Sequence, residues 1–124
     1  MGKKIKILVS DLMVEAELNE SKTAQGIWEA LPIEAKAGLW GEEIYFALPL
    51  KTGLEQGARE VVSAGELGYW PTGHAFCIFF GPTPASRGEE IRAASSVNII
   101  GKVLCDPKVF LKVREGAKVT LERG

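Results

Sequence analysis

Histidine occurs once and cysteine twice in the 124 residues, and each scarcity removes a class of chemistry. A single histidine, His74, excludes a multi-histidine metal site. Cys77 and Cys105 show no C-x-x-C spacing and are too few for the dense framework of a small secreted disulfide scaffold. Two reduced thiols in an intracellular chain are expected instead. An excess of one charge is missing as well. Fifteen Lys and Arg against sixteen Asp and Glu leave a net charge of −1, and the isoelectric point is about 5.9. Such a chain has no overall field to hold nucleic acid or an anionic membrane. The longest apolar run, Ala75 to Phe80, is far below the roughly 20 residues that a membrane helix needs. Neither G-x-G-x-x-G nor G-x-x-x-x-G-K-S/T is present, so phosphate cradling by those loops is excluded. No period of 20–50 residues and no low-complexity stretch occurs. The basic start, Met1 to Lys6, leads into an apolar stretch that ends at Asp11, too short for a secretory core. Cytoplasm is the expected location.

What is present reads as one globular domain over residues 1–124, with 46% hydrophobic and 25% charged residues. A chain of this length can bury roughly two-thirds of the surface it exposes when unfolded. Lys4 to Val9 and Leu12 to Leu18 alternate apolar with polar residues around Ser10-Asp11 and predict a pair of strands. The period then changes. Ala24, Ile27, Trp28 and Leu31 form one stripe over two helical turns, with Ser21 as N-cap and Pro32 as the stop. That stripe predicts a buried Trp28, with Lys22 and Glu29 exposed. Ile33 to Trp40 and Glu42 to Leu48 predict two more strands, followed by a polar loop from Lys51 to Glu60. Glu66 to Trp70 and Ala75 to Phe80 flank the turn Pro71-Thr72-Gly73. The second of these strands lacks alternation and should be covered on both faces. Gly81 to Ser96 reads as a long loop, Val97 to Leu104 as a strand, and Ala117 to Arg123 as the last strand. Asp106, Pro107 and Gly116 frame a short second helix. Eight strands with two short helices predict a mainly β fold, a closed barrel that leaves no edge strand.

The chemistry-bearing residues give weaker signals. His74, Cys77 and Cys105 number three zinc ligands but lack the paired spacing of zinc sites. His74 and Cys77, three apart on extended chain, point to opposite faces and make a poor nucleophile–base pair. Glu42 and Glu43 also face opposite ways and read as the solvated start of a strand. Arg87, Glu89, Glu90 and Arg92 read as a solvated loop. Tyr69-Trp70-Pro71 beside Phe76 can wall an apolar pocket or simply fill the core. Neither a metal nor a cofactor is expected.

Glu17-Leu18, then Lys22-Thr23-Ala24-Gln25 and Ala30-Leu31, resembles the first helix of cyclophilins, the barrel-shaped peptidyl-prolyl isomerases. Ile100-Gly101-Lys102-Val103 with the short helix after it resembles their F-G-K-V segment. Gly73-His74-Ala75-Phe76-Cys77-Ile78 can be set against G-S-Q-F-F-I. A nearer likeness is to a small prokaryotic group of atypical cyclophilin-like proteins. Trp40-Gly41-Glu42-Glu43-Ile44-Tyr45-Phe46 and Gly65-Glu66-Leu67-Gly68-Tyr69-Trp70-Pro71-Thr72-Gly73 resemble its signatures.

The resemblance implies a closed eight-stranded cyclophilin-like barrel, and also implies that the isomerase residues are gone. Phe46 falls where the catalytic arginine of the F-H-R strand would stand, and it cannot donate to a prolyl nitrogen. Ala75 replaces the groove glutamine, Cys77 the phenylalanine that floors the proline pocket, and Val97 the histidine of the later strand. Arg92 falls near the position of a tryptophan or histidine, and Gln56 is a substitute groove glutamine if an insertion is allowed. The expected function is therefore a non-enzymatic binding module. Its ligand groove for a peptide or small molecule is drawn from Phe46, Gln56, His74, Ala75, Cys77, Arg92 and Val97. The alternatives are a prolyl isomerase with displaced catalytic residues, or a small-molecule enzyme using Glu43, Tyr45 or His74.

Overall fold

The computed structural model describes residues 2–124. The chain opens with β1 (Lys3–Val9) and β2 (Leu12–Leu18), paired antiparallel with Val9 opposite Leu12. Ser10, the first turn residue, has φ 53°, the left-handed conformation that a two-residue hairpin turn requires. Ile5, Ile7, Val9, Val14, Ala16 and Leu18 all face one side and are buried. Helix α1 (Lys22–Ala30) follows, with Ser21 Oγ accepting from Ala24 N at 3.2 Å. It buries Thr23, Ala24 and Ile27.

Trp28 is only half-buried, contrary to the stripe's prediction, while Lys22 and Glu29 are exposed as expected. The reason is local. Lys3 Nζ and the Arg123 guanidinium lie 5.8 and 4.7 Å from its ring, so it sits at the edge of the core under two cations instead of inside.

The remaining strands are β3 (Ile33–Lys36), β4 (Gly38–Leu39), β5 (Glu43–Ala47), β6 (Arg59–Val62), β7 (Glu66–Trp70), β8 (Ala75–Phe79), β9 (Ile91–Val103) and β10 (Lys118–Arg123). Hydrogen bonding runs in the order β3-β10-β1-β2-β9-β7-β8-β5-β4, with β6 paired to β9 beside that path. The fold is mainly β, as expected. Among the described residues ten strands replace eight because Ile33 to Trp40 divides at Ala37 and β6 spans the end of the predicted polar loop and the two residues after it. The ladder is not closed by hydrogen bonds. Its two ends, β3 and β4, are consecutive pieces of chain joined at Ala37, whose N–H and C=O pair with Ala117 O and Gly116 N.

The predicted 81–96 loop is also shorter than expected, since β9 begins at Ile91 and continues unbroken for 13 residues. Pairing of β6 with Ile91, Arg92 and Val97 holds that extension. The second helix is a 3-10 turn over Pro107–Lys112, capped by Asp106, whose Oδ1 accepts from Lys108 N at 3.0 Å.

Two cores result. The larger fills the inside of the curved sheet with residues from Ile5 to Leu121, including Phe46 and Phe76 stacked at 5.1 Å. The smaller lies on the opposite face of β7, β8 and β9 and joins Val62, Ala75, Cys77, Phe79, Ile91, Ala93 and Val97. That second core is why Ala75–Phe79 is buried at every position.

Candidate functional site

Strand β5 carries the side chains that matter, because period-two geometry divides them between the two cores. Ile44 and Phe46 belong to the inner core, so Glu43, Tyr45 and Ala47 point to the outer face. Register sets Tyr45 opposite Cys77 and Glu43 opposite Phe79. On this face opens a cavity of about 270 Å³, lined by Trp40, Glu43, Tyr45, Trp70, Cys77, Ala93, Ala94 and Val97. Its size suits a small organic molecule, since drug-sized sites start at about 300 Å³.

Each wall is held by a separate device. Trp70 ends β7, and its Nε1 donates to Ser95 Oγ at 2.6 Å, which fixes the indole against β9. Tyr45 lies flat over Gly38, where a Cβ would stand 2.5 Å from its ring; only glycine leaves the tyrosine that place. Trp40 opens the turn before β5, with Trp40 N donating to Glu43 O at 3.0 Å. The turn is sewn to the neighbouring chain by Glu42 N to Pro82 O at 2.9 Å and Phe80 N to Glu42 O at 3.0 Å. Thr83, itself buried, donates through Oγ1 to Arg92 O and so ties the 81–90 segment to β9 just before Ala93 and Ala94. At Glu90 the carboxylate accepts from Arg87 N, Gly88 N and Arg92, and these bonds hold it below the usual carboxylate range.

Glu43 is the one carboxyl on this lining, and it is buried at 6% exposure. Its Oε1 has no hydrogen-bond partner, an expensive state for a buried polar atom. Burial pushes the carboxyl up to about 7, partly offset by the Cys77 thiol beside it. Burial also pushes the Cys77 thiol well above its ordinary value, and the charge of Glu43 adds to that. The sequence reading of Glu43 as a solvated residue is therefore corrected. The outer core covers its face of β5, a consequence already implicit in the missing alternation of Ala75–Phe79 on the next strand.

The other candidate residues separate. Cys77 and Val97 line the cavity with Glu43. Phe46 stacks inward on Phe76, because its position on β5 has inner parity. It joins Ala75 only in the lining of a second, more open depression beside Tyr45 and Trp70. His74 closes the 3-10 turn Pro71–Gly73 with φ 50° and lines neither. Gln56 is exposed in the segment between β5 and β6. Arg92 pairs with Glu60 and Glu90 at 3.2 Å each and turns away from the cavity that its neighbours Ala93 and Ala94 line. Glu43 and Tyr45, candidates only of the enzyme alternative, and Trp70, read as a pocket wall or core, join this lining. Trp40, in the turn before β5, is the residue the sequence reading missed.

Both cysteines are free, Cys77 buried and Cys105 exposed. Among the described residues no group of three or more His, Cys, Asp or Glu is placed to hold a metal ion. Among them, too, no helix is long and apolar enough to cross a membrane.

No functionally curated protein matches the chain. Among solved structures it is similar to a hypothetical protein from Archaeoglobus fulgidus, known from a solution structure. The two are 36% identical, with 99% of this chain and 95% of that chain covered and a TM-score of 0.84. The family model described as cyclophilin-like matches residues 3–122. With nearly its whole length inside that match, the chain belongs to the cyclophilin-like family.

Proposed function

We propose that the protein is a ligand-binding module whose site is the outer-face cavity around Glu43, and that it lacks conventional prolyl isomerase activity. One observation carries the reading: a largely apolar cavity whose lining includes a single, buried carboxyl, Glu43. One Glu43 oxygen has no partner, at a cost of about 1–3 kcal/mol, and a ligand donor at this carboxyl would offset part of it. The walls supply apolar area, and Glu43 supplies orientation and selectivity.

The isomerase reading loses support on the same face. Accelerating prolyl rotation requires binding the twisted amide better than the planar one, and a fixed guanidinium donor at the prolyl nitrogen does this. No arginine lines the cavity. Trp40, Tyr45, Trp70 and Val97 offer contacts that planar and twisted amides enjoy almost equally. A second reading, proton transfer by Glu43 in a small-molecule enzyme, is favoured by a carboxyl near 7.

Exchange spectroscopy on a panel of X-Pro peptides, with the protein in excess, tests the proposal. Unchanged isomerisation rates are expected. Acceleration within tenfold of an ordinary cyclophilin would overturn the binding-module reading in favour of an isomerase.

A further inference from the structure

Resting on the cavity being a binding site, we infer that its ligand is an organic ammonium, a protonated amine on a small apolar body. Charge complementarity carries this. The lining holds one carboxyl, Glu43, and no cationic side chain. Arg92, the cation nearest in sequence to the lining residues Ala93 and Ala94, is engaged by Glu60 and Glu90. Three aromatic residues, Trp40, Tyr45 and Trp70, account for much of the wall. Aromatic rings attract a cation to their faces, and tryptophan does so best. A protonated amine beside Glu43 would give the carboxylate a charge-assisted donor, while its alkyl groups covered the aromatic and alanine walls.

Other ligand charges fit worse. An anion would face a carboxyl with no cation to offset it. A neutral carbonyl compound fits only the protonated carboxyl, and it draws nothing specific from the aromatic wall. The protonation state of Glu43 thus separates the two classes. Beside it, Cys77 projects from β8 and Tyr45 from β5, while β9 presents Ala93, Ala94 and Val97. The Cys77 thiol stays neutral, so Glu43 is the group that changes charge near neutrality.

Three probes of one shape test the inference: cyclohexylammonium, cyclohexanol and cyclohexanone, each titrated into the isotope-labelled protein at pH 5.5 and pH 8. Shifts at Tyr45, Trp70 and Cys77 give the affinities. At pH 8 the ammonium is expected to bind at least tenfold tighter than either neutral probe. The preference should shrink at pH 5.5 and vanish in Glu43→Gln. Equal or tighter binding of cyclohexanone or cyclohexanol at pH 8 would overturn the ammonium inference and leave the binding site standing. If none of the three moved those signals, both readings would fail together.

Discussion

Glu43 and Cys77 sit diagonally across paired strands, on the outer face and two residues apart in register, so the buried carboxyl and the buried thiol share one small space. Burial makes ionisation of both costlier; the Glu43 charge raises the thiol further, while the thiol's hydrogen bond eases ionisation of the carboxyl a little. The result is a cavity floor that stays uncharged in acid and carries a single negative charge once Glu43 ionises near pH 7.

Burial of Glu43 makes stability depend on pH with a definite sign. Glu43 has a folded value of about 7 against 4.5 for an ordinary glutamate. Between those pH values the folded chain keeps a proton that the unfolded chain has released. Stability from this group is therefore fully present below pH 4.5 and falls as pH rises, by about 3 kcal/mol above pH 7. Glu43→Gln should remove that loss. Urea unfolding of both proteins at pH 4.5 and pH 8 checks it, and an identical pH dependence in the two would contradict the burial argument.

The cysteines should differ in reactivity. The thiolate is the reactive form, and Cys77 is buried with its thiol held well above the ordinary range. Cys105 is exposed, its thiol raised by partial burial and by Asp106. A thiol reagent at pH 8 should modify one cysteine, Cys105, in the native protein and the second only after unfolding. Two equally fast equivalents would show that Cys77 is open to solvent.

Trp28 tests the edge of the inner core. A fully buried aromatic costs about 3–5 kcal/mol to truncate, and half-burial with two cations over the ring lowers the expectation for Trp28→Ala to about 2–3 kcal/mol. Arg123 Nη2 also donates to Trp28 O at 3.2 Å, so Arg123→Ala should cost less than Trp28→Ala but more than an isolated surface change. Equilibrium denaturation gives both numbers, and a loss below 1 kcal/mol for Trp28→Ala would mean that α1 does not rest there.

Asn98 holds the long segment between β5 and β6. Its Nδ2 donates to Gly53 O at 3.0 Å and Thr23 Oγ1 at 3.1 Å, and its Oδ1 accepts from Glu55 N at 2.7 Å. The Glu55 carboxylate in turn accepts from Thr23 N at 3.0 Å and from the Thr23 hydroxyl. Asn98→Ala should cost about 1–3 kcal/mol by stranding these groups. Amide exchange should speed up at Glu55 while staying slow in β8; unchanged exchange at Glu55 would contradict the clamp.

The parts legible in the sequence are those whose period is local. The β1–β2 alternation and the α1 stripe each declare their element within ten residues, and the unbroken apolar run of β8 announced a covered strand. Three features needed tertiary partners. β6 consists of Arg59, Glu60, Val61 and Val62, with only Val62 buried, and it is a strand because β9 pairs with it. The start of β9 contains Ala93, Ala94, Ser95 and Ser96, small residues that favour no strand by themselves and are kept extended by β6 and by Thr83. Glu43 was hidden for the same reason. Adjacent carboxylates normally mark solvent, and only the second core, assembled from residues 62 to 97, puts one of them inside. Aligning the chain on cyclophilin motifs pointed to Phe46, one residue from the outward-facing Tyr45. A shift of one residue exchanges the faces of a strand.

The most direct test is amide-shift mapping of the isotope-labelled protein against a panel of small apolar fragments, some carrying a polar head. The account predicts that the fragments that bind shift Trp40, Tyr45, Trp70, Cys77 and Val97 together, and that filling the cavity with Val97→Phe abolishes those shifts. Shifts that spare these five residues and gather instead in the cleft lined by Glu17, Asn19, Ile99 and Lys102 would contradict it.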